Sequence, residues 1–129
     1  MSYSVEIKHI QDFTFKAKTA GCELIIDTKG KGISPPDALL ASLGSCVGVY
    51  IRKYAEGAKL NLANFTITVK AEFSKIAPVA FALISVSVDL KGAELDERRK
   101  KSLLEFIKNC PVHNTLKGNP EIEINFYGN

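Results

Sequence analysis

The stretch Ile33–Gly57, ISPPDALLASLGSCVGVYIRKYAEG, decides the fold. Ser34 is placed to cap a helix, Pro35 suits its first position, and Asp37 falls three residues after the cap. An oxygen at the cap and an acid in the first turn complement the unsatisfied N–H groups and the positive end of a helix. The spacing predicts a helix from Pro35 to about Tyr54 that ends near Gly57. Leu39, Leu40, Leu43, Val47, Val49 and Ile51 surround it on nearly every side. A helix that is apolar all round is buried all round. One sheet in a chain of 129 residues is too small to wrap it, whereas a second copy of the chain supplies the missing wall. A homodimer is therefore expected. Cys46 lies on the face that carries Leu39, Ser42, Leu43 and Tyr50. Alone, it reads as a small hydrophobe in a core, since free cysteine is among the most buried residue types.

The segments on either side read as strands. Tyr3–Lys8, Phe13–Lys18 and Glu23–Thr28 are short and largely alternating. The KGKG loop at Lys29–Gly32 lacks the spacing of a phosphate-binding loop. Beyond the helix, Asn64–Ser74 alternates strictly, with Phe65, Ile67, Val69, Ala71 and Phe73 on one face. Ala82–Leu90 alternates again after Pro78, so the two segments predict an antiparallel pair. A second helix is expected over Leu95–Asn109, with Leu103, Leu104 and Ile107 as its apolar stripe. Pro111 stops it. Glu121–Tyr127 alternates once more and is expected to form a last strand with Ile122, Ile124 and Phe126 inward. The expected order is β-β-β-α-β-β-α-β, in the α+β class, as a single domain over residues 1–129 with helices on one face of an antiparallel sheet.

Composition narrows the function. The net charge of +3 is mild and the basic residues are scattered, so no nucleic-acid partner is expected. The apolar run Ala38–Ile51 falls short of the about 20 residues that span a bilayer. The first residues alternate and carry charge, unlike a signal peptide, so the expected home is the cytoplasm, with no membrane contact. Three cysteines, Cys22, Cys46 and Cys110, do not make a disulfide framework in a chain of this size, and no CxxC marks a zinc site. Cys22 follows Gly21 in a turn and reads as a semi-buried structural residue.

Cys110 stands in NCPVHNTL, Asn109–Leu116. Proline favours a first helical position, so Cys110 is placed at or near the N-cap of a short helical turn, where a thiol's pKa is lowered. His113 follows three residues on and adds to that effect when protonated. Taken together, SPPDALLASLGSC (Ser34–Cys46) and NCPVHNTL, in this order, resemble the motifs of the OsmC/Ohr family, and the element order matches over nearly the whole chain.

That resemblance implies an intertwined homodimer in which two central helices are enclosed by sheets from both chains. It implies a cytoplasmic, peroxiredoxin-like stress protein, a thiol-dependent peroxidase acting on small organic hydroperoxides. It makes Cys46 the peroxidatic nucleophile and Cys110 the resolving residue, with an external dithiol as reductant and no cofactor or metal. The chemistry suits two thiols: a thiolate cleaves the O–O bond, the sulfenic acid condenses with the second thiol, and exchange restores both.

The sequence departs from the family pattern at two linked positions. The best-studied members set an Arg from the N-terminal strands beside the thiolate, held by a Glu at the start of the central helix. Here no Arg precedes Arg52. Lys16 and Lys18 are the candidates to replace it, as point charges without the planar fork of Arg. Asp37 stands near the position of the Glu, but nine helical residues put it about 14 Å along the axis from Cys46, so it reaches the thiol only through a bridging cation and reads first as a cap. Lys53 shares the face of Cys46, about 10 Å along the axis, and is a weak candidate. Two other readings stand beside the peroxidase: a non-enzymatic or redox-responsive dimer that binds an apolar ligand in its interface groove, and a metal site built from Cys46, Cys110 and His113.

Overall fold

The computed structural model describes residues 2–128. The chain divides into two compact units, Met1–Ser42 and Leu43–Asn129. The first carries β1 (Glu6–Gln11), β2 (Thr14–Lys18) and β3 (Glu23–Asp27), an antiparallel sheet in sequential order. Its register sets Ile7, Ala17 and Leu24 in one row and His9, Phe15 and Ile26 in the next. Lys8, Lys16, Lys18 and Glu23 take the opposite face, as alternation requires. Asp27, buried at the end of β3, accepts hydrogen bonds from the Thr14 hydroxyl and the Lys29 backbone N–H. These bonds hold its carboxyl below the usual aspartate range, that from Thr14 foremost.

The long helix α1 (Pro35–Ala58) begins where the sequence places it. The Ser34 hydroxyl accepts the Asp37 N–H at 3.2 Å and donates to the Asp37 carboxylate at 2.9 Å. In the second unit its buried residues Leu43, Val47, Ile51 and Ala55 recur every four positions and form one stripe. Leu62, Leu95 and Leu103 complete that core. The sheet behind it is the antiparallel pair β4 (Thr66–Phe73) and β5 (Phe81–Asp89). α1 approaches β4 closely because Gly44 and Gly48 carry no side chain there. A Cβ on Gly44 would lie 3.0 Å from the Val69 Cγ2, and one on Gly48 3.1 Å from the Ile67 Cδ1. Two more helices follow, α2 (Glu97–Ile107) and α3 (Pro111–Gly118). Asp96 caps α2 through the Arg99 N–H at 2.8 Å.

The α+β class and the antiparallel pairing are as the sequence predicts, but the strands fall into two sheets rather than one. The expected last strand, Glu121–Tyr127, is not a strand. It follows the left-handed Asn119 (φ 47°) that caps α3, and its backbone pairs with no other segment among the described residues. Alternation sorts side chains to two faces but supplies no hydrogen-bonding partner, and without one the segment forms no ladder, with Phe126 92% exposed. The short turn expected after Pro111 is instead a helix of eight residues. No helix of the described residues is long and apolar enough to cross a membrane.

The close approach at Gly44 makes a direct prediction. Gly44→Val drives a branched side chain into Val69 and lowers stability by about 1–3 kcal/mol. The urea midpoint is expected to fall with an unchanged slope.

Candidate functional site

The second unit brings Cys46 and Cys110 together. Cys46 sits one residue before the buried Val47, on the flank of the α1 stripe, and is half-buried. Cys110 is fully buried between α2 and α3. Its N–H donates to the Ile107 carbonyl at 2.9 Å, which closes the last turn of α2. Its own carbonyl accepts the Asn114 N–H at 3.1 Å, which opens α3. Pro111 occupies the first turn, and the Cys110 sulfur accepts the His113 N–H at 3.5 Å. A sulfur thus takes the capping place that Ser or Asp usually fills.

Burial pushes the Cys46 thiol above its ordinary pKa, and interaction with the Cys110 thiol pushes it further. The Val112 backbone N–H, at the start of α3, pulls the other way, as does the Lys53 ammonium. Both cysteines are free thiols. Cys22 is free and exposed, not semi-buried as expected, in a turn closed by the Thr19 N–H on the Cys22 carbonyl.

The supporting residues named from the sequence divide. The His113 side chain faces a groove and its Nδ1 lies 3.1 Å from the Asn114 Oδ1. Asp37 is engaged with Ser34 as a cap. Lys16 and Lys18 both reach Glu23, at 3.6 and 3.8 Å. Arg52 donates to the Leu62 carbonyl at 2.6 Å and meets Glu56 at 3.9 Å. One contributor has no side-chain signal in the sequence: the Val112 N–H is a backbone group, marked only by the Pro111 that starts α3. Lys53, the weak candidate on the face of Cys46, acts on the thiol as well. No group of three or more His, Cys, Asp or Glu side chains is placed to hold a metal ion among the described residues.

The second unit also holds an apolar groove of about 580 Å³, lined by neighbours of the cysteines in the chain rather than by Cys46 or Cys110 themselves. Leu43 and Val47, which flank Cys46 along α1, form one wall, and Leu83, Val86, Leu104 and Ile107 line others. Among the described residues its polar lining is His113 and Lys117, both on α3.

Helix, paired strands and two facing thiols define a class of small cysteine-bearing α+β proteins. A sequence model described as OsmC-like protein matches residues 28–125, and the chain belongs to that family. It is 29% identical over 100 residues to a hydroperoxide reductase of Mycoplasma genitalium, a match that spans 75% of this chain and 71% of the relative. It is also similar to the crystal structure of an OsmC-like protein from Mycoplasma pneumoniae, with a TM-score of 0.77 and 21% identity over 92% of this chain and 89% of that one. An organic hydroperoxide resistance protein OsmC from Legionella pneumophila superposes with a TM-score of 0.61 and 18% identity, over 91% of each chain. At such identities the solved structures establish the fold.

The electrostatics make a prediction about the pair. Cys110→Ala removes a group that favours the neutral Cys46 thiol, so the pH midpoint for alkylation of Cys46 is expected to fall. Mass-spectrometric labelling rates between pH 6 and about 10 check it, and an unmoved or raised midpoint contradicts it.

Proposed function

We propose that the chain is a thiol peroxidase of organic hydroperoxides that works through Cys46 and Cys110. One observation carries this reading: a half-buried thiol on α1 meets a fully buried thiol that caps α3. The Cys46 thiolate attacks one oxygen of the hydroperoxide and the O–O bond breaks. The products are a Cys46 sulfenic acid and an alkoxide, which takes a proton and leaves as the alcohol. The Cys110 thiol then attacks the sulfenic sulfur, an S–S bond forms and water departs. An external dithiol reduces that disulfide by two exchanges and is itself oxidised. The Val112 N–H favours the attacking thiolate. The apolar groove suits the hydrocarbon part of the substrate. Free thiols and a disulfide that must be re-reduced fit a cytoplasmic protein. The kinship with a hydroperoxide reductase supports the same reading.

A second reading has its own support. A thiol held above its ordinary pKa, in a unit that holds a groove lined almost wholly by apolar side chains, also fits a dimer that binds an apolar ligand without turning it over.

Both readings take the protein as a homodimer. On the outer side of α1, Val49 is 49% exposed and Leu39 is exposed as well. In the first unit, Ile7 and Leu24 stand exposed on the apolar face of the sheet. Apolar surface this extensive marks an interaction face in a soluble chain.

Cumene or tert-butyl hydroperoxide with a dithiol is expected to be consumed at a rate that Cys46→Ser abolishes. Cys110→Ser is expected to leave a sulfenic acid on Cys46 that a dimedone probe captures. Turnover equal in Cys46→Ser and the parent excludes the peroxidase. Ligand retained through purification, with no turnover, establishes the binding reading. Sedimentation is expected to give twice the mass of the chain.

A further inference from the structure

The peroxidase reading needs a charge that favours ionised Cys46. Arg52 is engaged with Leu62 and Glu56, and Lys16 and Lys18 with Glu23. Lys53 meets no carboxylate among the described residues. It follows Cys46 by seven positions, which is about two helical turns and nearly the same azimuth. Axial spacing alone overstates the separation of the charged groups. Side chains on a helix lean toward its N-terminus, and that lean carries the end of Lys53 toward Cys46.

The observed side chain follows that direction. The Lys53 Nζ sits 4.8 Å from the centroid of the Tyr50 ring, which belongs to the residue three positions nearer to Cys46 along α1. A cation over an aromatic face is an attractive arrangement. Tyr50 is itself held, with its ring 5.7 Å from that of Phe106 on α2, and Tyr54 packs on the other approach to Phe106 at 5.9 Å. Phe106 thus fixes Tyr50, and Tyr50 gives the ammonium a resting place on the Cys46 side of Lys53 in the chain.

We propose that the Lys53 ammonium, folded back along α1 over Tyr50, is the cation that stabilises the Cys46 thiolate, with Tyr50 as its positioning residue. This rests on the peroxidase reading, but its physical content is independent of any peroxide. The titratable side chains that act on Cys46 are Cys110, at the junction of α2 and α3, and Lys53 on α1. Lys53 is the cation of the two, and its field lowers the proton affinity of the thiol. The ammonium is exposed, so its effect is modest and depends on salt.

The test measures alkylation of Cys46 by iodoacetamide against pH, read on the Cys46 peptide, in a Cys22→Ser background that removes the exposed thiol. Lys53→Met is expected to raise the midpoint and slow labelling at neutral pH by roughly three- to tenfold, the order expected for one unit charge in partly solvated surroundings. Lys53→Arg is expected to restore the parent profile, and Tyr50→Leu to give a smaller shift in the direction of Lys53→Met. Added salt is expected to slow labelling of the parent and leave Lys53→Met unchanged. A folded Lys53→Met protein with the parent profile overturns the proposal. If Lys53→Met does not fold, a salt-independent parent rate overturns it instead. Peroxide turnover measured on the same proteins separates the two claims. A moved profile without turnover upholds the role of Lys53 and removes the peroxidase; turnover with an unmoved profile does the reverse.

Discussion

The close approach of α1 to β4 through Gly44 and Gly48 is the constraint on which the second unit depends. Glycine in a helix interior costs about 1 kcal/mol relative to alanine, and α1 carries two where the sheet is nearest. Their spacing of four matches the stripe of Leu43, Val47, Ile51 and Ala55, so small and large residues alternate along neighbouring rows. Packing therefore fixes the rotation of α1 about its own axis. That rotation puts Cys46 on the flank of the buried stripe, half-buried. One position further on, at Val47, a thiol would lie in the core, where apolar surroundings make it inert.

The second thiol depends on a different local rule. Cys110 belongs to two helices at once, closing α2 with its N–H and opening α3 with its carbonyl and sulfur. Pro111 makes this possible, because it ends one helix and favours the first turn of the next. The amides that open α3 are then shared between the sulfurs: the His113 N–H goes to Cys110 and the Val112 N–H acts on Cys46. Two residues of sequence, Cys110 and Pro111, thus set both the position of a thiol and a local source of positive potential.

Much of this was legible in the sequence, for reasons that can be separated. The start of α1 could be read because capping is local: Ser34, Pro35 and Asp37 carry the signal within one turn. β4 and β5 could be read because strict alternation over a long run has few other meanings. The segment Glu121–Tyr127 carries the same alternation and yet forms no strand, since pairing depends on a backbone that local sequence does not specify. On α2 the stripe splits, with Leu103 buried and Leu104 63% exposed, because the width of the covered face is set by what packs on it. The contact of Lys53 with Tyr50 is invisible to a count of residues along the axis, which ignores the backward lean of side chains.

A raised thiol pKa weighs less heavily against catalysis than the ionised fraction alone suggests. Each unit of increase lowers the fraction of thiolate tenfold at a pH below both values. The same increase makes the thiolate a better nucleophile, with a Brønsted slope of about 0.4–0.5 for attack on sulfur, or roughly threefold per unit. The net loss is then about three- to fourfold per unit. A partly screened cation works against that loss without cancelling it: the Cys46 thiol stays above its ordinary pKa with Lys53 in place. Lysine suits this smaller task, because its charge is compact and its stem flexible. A thiol with a raised pKa is also less prone to adventitious oxidation, which follows thiolate character and exposure. The half-buried setting of Cys46 and a moderate, screened charge are therefore compatible with the proposed thiol chemistry.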